Sequence, residues 1–465
     1  MADYVLGIDS STQSVKALLV DAKSGQVVDQ RRAAHPSGTE VNPEAWVQAL
    51  HQVSADLLPR AAAVSIAGQQ HGMILLDQKK QVLRDALLWN DTRSAPQAQK
   101  LTAYLGGPRA AAQRIGSVPL ASYTATKLRW VQENEPHIAQ KVAAVALPHD
   151  YLTMLLNTQA GLFTDHGEAS GTAYYNPSSR SWEPDIAAWA IGQPVELPQL
   201  AQPAQVVGKT AQGALLAAGT GDNMAAALGL QLEQEDAVIS IGTSAVVMMR
   251  SQHPVADAQH NISGFADATG HYLPLACTLN GAPVMDFACQ SLGVNHDQLT
   301  ELVLASSPGA GGAVFLPYLN GERTPNLPKA KAHLGLVSAQ TSRADLARAM
   351  LEGLACSVRE GLEKLLAAQG ACQPRRIILI GGGAKSLALR QVLAQVLGID
   401  IFVPQPAEFV ALGAARQAAW ALSGDRQPPQ WPQAPMRQIA AVEQAHIYRQ
   451  YLTYRNQLYP QVGEA

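Results

Sequence analysis

A chain of 465 residues, 47% hydrophobic and 15% charged, has globular composition and room for two or more domains of about 100–200 residues. Its formal net charge of −3 gives no electrostatic case for nucleic acid or an anionic membrane as a partner. The four cysteines, Cys277, Cys289, Cys356 and Cys372, are too few and scattered for a disulfide framework, and none forms the C-x-x-C pair of a structural zinc site.

Met1-Ala2-Asp3-Tyr4-Val5 lacks a basic stretch followed by an apolar run, so no signal peptide is expected. No uninterrupted apolar stretch is long enough to span a bilayer, and the expectation is a cytoplasmic protein. Tyr4 to Ile8 reads as a strand, Asp9-Ser10-Ser11-Thr12-Gln13-Ser14 as a polar turn, and Val15 to Val20 as a second strand. Lys23-Ser24-Gly25 is a turn, and Gln26 to Asp29 a third strand. Asn42 and Pro43 open a helix as N-cap and first helical residue, with Trp46, Leu50, Val53 and Leu57 on one face. The polar stretch Gln231 to Glu235 places a domain boundary between residues 234 and 235.

The opening pattern then recurs. Ala237 to Ile241 is a strand, Gly242-Thr243-Ser244 a small hydroxyl turn, and Ala245 to Met249 a strand, which predicts two domains of related topology, 1–234 and 235–465. Ser342 and Asp345 form a capping-box pattern ahead of a helical face of Leu346, Met350, Leu354, Val358 and Leu362. Arg376 to Ile380 is a buried strand running into Gly381-Gly382-Gly383, followed by a helix over Leu387 to Leu397 and a strand over Ile399 to Val403. Gln427 to Pro432 reads as a stiff linker, and Val442 to Leu458 as a last amphipathic helix. Strand–helix alternation in both halves makes this an α/β protein.

Five segments could carry chemistry. In Gly7-Ile8-Asp9-Ser10-Ser11-Thr12, a carboxylate at a strand end precedes hydroxyls and backbone N–H groups, a set that can face a phosphate and its magnesium, though Asp, Ser and Thr also make ordinary β-turns. Gly242-Thr243-Ser244 offers the same in the second half. The pair suggests a phosphate chain held between two hairpins, or a duplicated fold with one turn still in use. Gly381 to Ser386 is not a P-loop, because Ala384 rather than glycine precedes Lys385. It suits either a flat group packed on backbone or a tight strand-to-helix connection. In Gly219-Thr220-Gly221-Asp222-Asn223, a glycine-flanked Asp could accept a hydroxyl proton or simply make a turn. Gln69-Gln70-His71-Gly72 with Trp89-Asn90-Asp91 offers the polar groups and apolar platform a sugar needs, while Trp89 alone reads as core. His149-Asp150 and Asp165-His166 lack a convincing metal-ligand spacing and read as surface or loop residues.

In order, these segments resemble the FGGY carbohydrate kinases, and among them the xylulose kinases most closely. The resemblance runs through GIDSSTQSVK (Gly7 to Lys16), IAGQQHG (Ile66 to Gly72), LLWNDTR (Leu87 to Arg93), LPHDYL (Leu147 to Leu152) and GDN (Gly221 to Asn223). It continues in SIGTS (Ser240 to Ser244), FLPYLNGERTP (Phe315 to Pro325), LIGGGAKS (Leu379 to Ser386) and ALGAA (Ala411 to Ala415). It implies two actin-like (ribonuclease H-like) domains flanking a cleft, a sugar and MgATP as ligands, and a homodimer. By resemblance, Asp222 is the catalytic base, Asp9 orients magnesium (through water) and the phosphates, and Ser11, Thr12, Lys16, Gly242 and Thr243 lie on the phosphate side. Gly382 and Gly383 match the glycines beside adenosine. Gln70, His71, Asp222 and Asn223 match the sugar pocket, and Trp89 its wall. The first turn has Ser11 and Ser14 where the family often has glycine, and Gln70 stands where methionine is usual in its xylulose kinases. An amide there adds a donor and an acceptor that could shift preference among pentuloses. An actin-like switch ATPase is the competing class, but it gives IAGQQHG and LLWNDTR no role.

Overall fold

The computed structural model describes residues 3–159, 161–259 and 261–462. Apolar runs broken by small polar turns give an antiparallel meander, β1 (Tyr4–Ser10), β2 (Ser14–Asp21) and β3 (Val27–Ala34). α1 (Pro43–Ser54) follows, capped by the Asn42 side chain accepting from the Glu44 N–H at 2.9 Å. Next come β4 (Ala61–Gly68), β5 (Val206–Lys209), β6 (Leu215–Ala217), β7 (Thr220–Gly221) and α2 (Asp222–Gly229). The first sheet has the order β5-β6-β4-β1-β2-β3, with β7 also on β4. β1, β6 and β7 all run parallel to β4.

The second half repeats the plan. β8 (Asp236–Ile241) and β9 (Ala245–Met249) form its hairpin, with β10 (Ile262–Ser263) and β11 (Leu275–Thr278) alongside. After α3 (Arg343–Ala368) come β12 (Arg376–Ile380), α4 (Leu387–Leu397), β13 (Ile401–Val403), α5 (Phe409–Ser423), β14 (Arg437–Ile439) and α6 (Ala445–Leu458). The sheet order is β10-β11-β9-β8-β12-β13-β14, and β12 runs parallel to both β8 and β13. Each half thus has an antiparallel meander extended by two parallel strands, the repeated actin-like (ribonuclease H-like) arrangement. Because the parallel strands of both sheets end toward one cleft, their loops converge there.

Alternation explains most of the elements. Ile8, Val15, Leu19, Trp46, Leu50 and Ile66 share one core on the first sheet, and Ile239, Val247, Leu354, Val358, Ile377 and Leu379 share another on the second. The capping box of α3 is present, with Ser342 Oγ accepting from the Asp345 N–H at 3.1 Å and Asp345 Oδ2 accepting from the Ser342 N–H at 2.9 Å.

Several expectations are corrected. β3 runs on to Ala34, because a charged strand at the sheet edge needs only its ladder and a solvated face. Leu57 is buried but lies past the end of α1. β13 starts at Ile401, and α6 starts at Ala445 with Val442 62% exposed ahead of it. The segment Gln427 to Pro432 is a packed strap: buried Trp431 donates from Nε1 to the Ala22 carbonyl at 3.0 Å, and the Pro429 carbonyl accepts from Arg416 Nε at 2.7 Å.

α5 belongs to the second half in sequence but packs on the first sheet. Ala411 and Ala415 share a core with Val5, Leu18 and Ala63. Gln417 joins the layers, accepting from Ser65 Oγ at 2.6 Å and donating to the Gly219 carbonyl at 3.0 Å. α5 crosses α2 at glycine-to-backbone distance: a Cβ on Gly413 would lie 1.8 Å from the Ala225 carbonyl oxygen, and one on Gly229 2.1 Å from that of Phe409. Any side chain there would force apart the helix that starts with Asp222.

Candidate active site

Three neighbouring strand ends of the first sheet deliver the site. β1 ends with Asp9 and Ser10, β4 runs into Gln69, Gln70 and His71, and β7 runs directly into Asp222 and Asn223 at the start of α2. Cross-strand register sets Asp9 opposite Lys16. Asp9 is buried, accepts a short hydrogen bond from Ser11 Oγ, and lies 3.6 Å from Lys16 Nζ, which also pairs with Glu408 at 2.6 Å. Burial outweighs these partners and raises the Asp9 pKa.

Two cavities meet here. The smaller, about 220 Å³, is lined by Thr12, Gln70, His71, Trp89, Asp222 and Asn223 from the first half and by residues including Ser244, Phe265 and Arg323 from the second. The larger, about 630 Å³, is lined by Asp9, Ser11, Lys16, Asp222 and Asn223, with Gly381, Gly382, Lys385, Arg390 and Phe409 opposite. Asp222 and Asn223 line both. The Asn223 backbone N–H and Nδ2 donate to Asp222 Oδ1 at 2.8 and 3.1 Å, which leaves Oδ2 for a ligand. Burial, with the Asp9 carboxylate nearby, pushes the Asp222 pKa up to about 7.

In the smaller cavity, Gln70 Oε1 accepts from Asn223 Nδ2 at 2.9 Å, while its buried Nε2 has no partner among the described residues. The His71 ring pairs through Nδ1 with the Gly171 carbonyl at 2.6 Å. A carbonyl only accepts, so Nδ1 carries the proton and Nε2 is left as an acceptor. Burial and the cation of Lys127 push the imidazole pKa down to about 3, so it is neutral near pH 7. His71 holds a left-handed backbone at φ 68°, uncommon for a residue with a Cβ. Buried Lys127 fixes this turn by donating to the His71 carbonyl at 3.1 Å and to that of Ser122. Trp89 is half-buried on the cavity wall and donates from Nε1 to Thr12 Oγ1 at 2.9 Å.

The structure relocates several residues. Thr12 lines the smaller cavity, not the larger, because its hydroxyl is held between Trp89 and Gln69 Oε1, 3.4 Å away. Gly242 and Thr243 line neither cavity, Thr243 is exposed, and the neighbours Ser240 and Ser244 line them instead. Gly382 faces the larger cavity, whereas Gly383 is buried, where a Cβ would lie 2.5 Å from Ile241 Cγ2. Gly381, at φ +89°, makes the turn. His149, Asp150, Asp165 and His166 are buried rather than on the surface. Burial raises the pKa of Asp150 and Glu168 and pushes Asp165 up to about 7.

Arg323 and Phe265 reach the smaller cavity from the second half, and Lys127 supports it, without a role in the sequence reading. Arg323 was visible inside LNGERTP. Lys127 gave no signal, because a lysine on a helix normally faces water.

Among the described residues, no three His, Cys, Asp or Glu side chains gather as a metal-holding group, and no helix is long and apolar enough to cross a membrane.

This geometry coincides with clear similarity to known proteins. The chain is 42% identical over 436 residues to the xylulose kinase of Streptomyces coelicolor, covering 90% of this chain and 88% of that one. It is 32% identical to the xylulose kinase of Escherichia coli, covering 93% of each. The crystal structure of xylulose kinase from Bifidobacterium adolescentis superposes with a TM-score of 0.92 at 40% identity, covering 98% of this chain and 99% of that one. Residues 4–230 match the N-terminal domain, and residues 237–422 the C-terminal domain, of the FGGY family of carbohydrate kinases. Two matched domains, each built on one of the paired sheets, place this chain in the FGGY family of carbohydrate kinases.

Proposed function

We propose that this kinase transfers the γ-phosphoryl group of ATP, with magnesium, to the terminal hydroxyl of D-xylulose, giving D-xylulose 5-phosphate. The observation that carries this reading is the position of Asp222 on the wall shared by two cavities, one small and one nucleotide-sized. The names of the full-length relatives supply the sugar. The gap between the matched segments, from residue 230 to 237, supports a domain boundary at 234–235.

Asp222 serves as general base. Asn223 holds Oδ1, so Oδ2 takes the proton as the sugar oxygen attacks. A base with a pKa of about 7 is half-ionised near neutral pH and still strong enough to accept that proton. Gln70, His71 and Asn223 orient the hydroxyls, and Trp89 gives one face of the sugar an apolar wall.

The larger cavity fits a nucleotide. Lys16, Lys385 and Arg390 offer cations to phosphates, while Met248, Pro404, Phe409 and Val410 offer an apolar bed for a base. Ser11 lines it beside Asp9. The buried Asp9 carboxylate at the cavity wall suits magnesium, which binds through phosphates and water with one or two carboxylates rather than in an all-protein cage. When bound, the ion neutralises charge between the phosphates.

The test is ADP release from MgATP with D-xylulose, L-xylulose, D-ribulose, L-ribulose, glycerol or gluconate, each beside a no-sugar control. Release that depends on D-xylulose supports the proposal. Release with a different sugar moves the substrate and implicates the free Gln70 amide. Equal release with and without every sugar removes the sugar-kinase mechanism proposed for Asp222.

A further inference from the structure

The smaller cavity has two oppositely charged groups on its wall, and only Asp222 has a role so far. The other is Arg323. Its loop is fixed to the second sheet with unusual completeness. The buried Glu322 carboxylate accepts from the N–H groups of Leu279 at 2.6 Å and Arg323 at 2.7 Å, and from Asn280 Nδ2 at 2.9 Å. Asn280 Nδ2 also donates to the Gly321 carbonyl at 2.9 Å, and Thr324 Oγ1 donates to the Cys277 carbonyl at 3.0 Å. Backbone and neighbours are pinned, yet among the described residues the Arg323 guanidinium makes no hydrogen bond or ion pair, and it lines the cavity. Five N–H donors held at a cavity wall without an acceptor await one from a ligand.

The position of Arg323 says which part of the ligand. Asp222 lies where the two cavities meet, whereas Arg323 lines only the smaller one, along with His71 and Tyr123. The Tyr123 and His71 rings pack at a tilt with centroids 5.0 Å apart, and the Tyr123 hydroxyl pairs with Ser263 Oγ at 2.8 Å, joining the two halves at this cavity. A sugar whose reacting hydroxyl meets Asp222 would direct its opposite end toward this wall. In a 2-ketose that end is an α-hydroxy ketone, with two oxygens on adjacent carbons. The parallel N–H groups of a guanidinium match such a pair.

We propose that Arg323 is a specificity-determining residue that binds the C1 hydroxyl and C2 carbonyl of the sugar, so that the second domain reads the end opposite the transferred phosphate. This rests on the 2-ketose reading above. Arg323 is carried by the second half and Gln70, His71 and Asn223 by the first, so the sugar itself bridges the domains.

The test is calorimetric binding of D-xylulose, 1-deoxy-D-xylulose and xylitol, without nucleotide, to wild type, R323M and R323K, with thermal melts to verify folding. R323M should bind D-xylulose about 10- to 100-fold more weakly, as loss of a charged hydrogen bond requires. R323K should fall between the two. Wild type should lose a similar factor on at least one analogue, and R323M should lose no more than about 3-fold further on that analogue. An equal penalty from R323M on all three ligands, or none, overturns the proposal. If R323M does not fold, wild type decides: binding both analogues as tightly as D-xylulose overturns it. A wild type that phosphorylates another sugar but not D-xylulose defeats the substrate reading instead, and is seen before any variant is made.

Discussion

The two halves repeat one topology but differ in how they hold most of their buried acids. In the second, most buried acids have arginine partners: Asp236 pairs with Arg376 at 2.8 Å and Arg375 at 3.1 Å, Glu352 with Arg348 at 2.7 Å, and Glu360 with Arg455, while Glu322 is held by N–H donors instead. In the first, Asp91 pairs with Arg93 at 2.9 Å and Asp9 lies near Lys16, but a cluster of Asp150, Asp165 and Glu168 is buried near Asp222 with no arginine or lysine paired to it among the described residues. The hairpins differ likewise. Asp9 and Lys16 face each other next to the first turn, while Ser240 and Val246 hold the equivalent register in the second. Paired acids hold a scaffold together. Unpaired ones keep their protons to higher pH, which suits a site that must move one.

Asp222→Asn is the strongest way to break the comparison, because it removes the acid that both cavities share. Turnover should fall about 10²- to 10⁴-fold, the usual worth of a general base, while calorimetric sugar affinity stays within a few-fold. In wild type the base must be unprotonated to act, so kcat/KM should decline as pH drops below about 7 and level off above it. An Asp222→Asn enzyme with near-normal turnover, or a wild-type profile flat through neutrality, would remove Asp222 from its role.

A paired test of the hairpins comes next. Asp9→Asn should lower turnover about 10²-fold and raise the KM for MgATP, since it removes the carboxylate proposed to face the magnesium of MgATP. Ser240→Ala, at the matching position, should change either quantity by less than about 3-fold. Equal losses would mean that both hairpins work on the phosphates, against the asymmetry in charge.

Much of this was legible in the sequence. The repeated strand–turn–strand pattern gave two sheets because alternation and small polar turns are local signals. Asp9, Asp222, Asn223, Gln70 and His71 were legible because they sit where a strand stops, next to glycines. The relocation of Thr12 was not, because it depends on the Trp89 indole arriving from 77 residues away. The packed strap through Trp431 was not either, since proline-rich composition describes stiffness and not what the segment touches. Least legible were the buried acids: His149-Asp150 and Asp165-His166 look like loop polarity until the folded chain encloses them.

The contrast in buried charge can be tested on stability. Arg455→Met leaves buried Glu360 with only Lys364, 3.9 Å away, and should cost about 3 kcal/mol in denaturant unfolding, the low end of the usual penalty for breaking a buried pair. A loss under about 1 kcal/mol would show that the paired acids are not holding the scaffold.

Glu168→Gln should act in the opposite direction, and by less. Both Glu168 oxygens are buried without partners, and burial next to Asp150, Asp222 and Asp165 raises its pKa well above 4.5. A carboxyl raised in the folded state stabilises the fold while it is protonated, fully so below its unfolded pKa of 4.5. That contribution is lost as pH rises toward the folded value. The amide has nearly the same shape and never ionises, so it carries no such loss. Below pH 4.5 the two proteins should melt together. From there upward the variant should gain on wild type, reaching a few degrees in Tm at pH 8. A Tm difference that does not change with pH would mean that Glu168 does not titrate differently on folding, and the first half would then hold its unpaired acids at no cost.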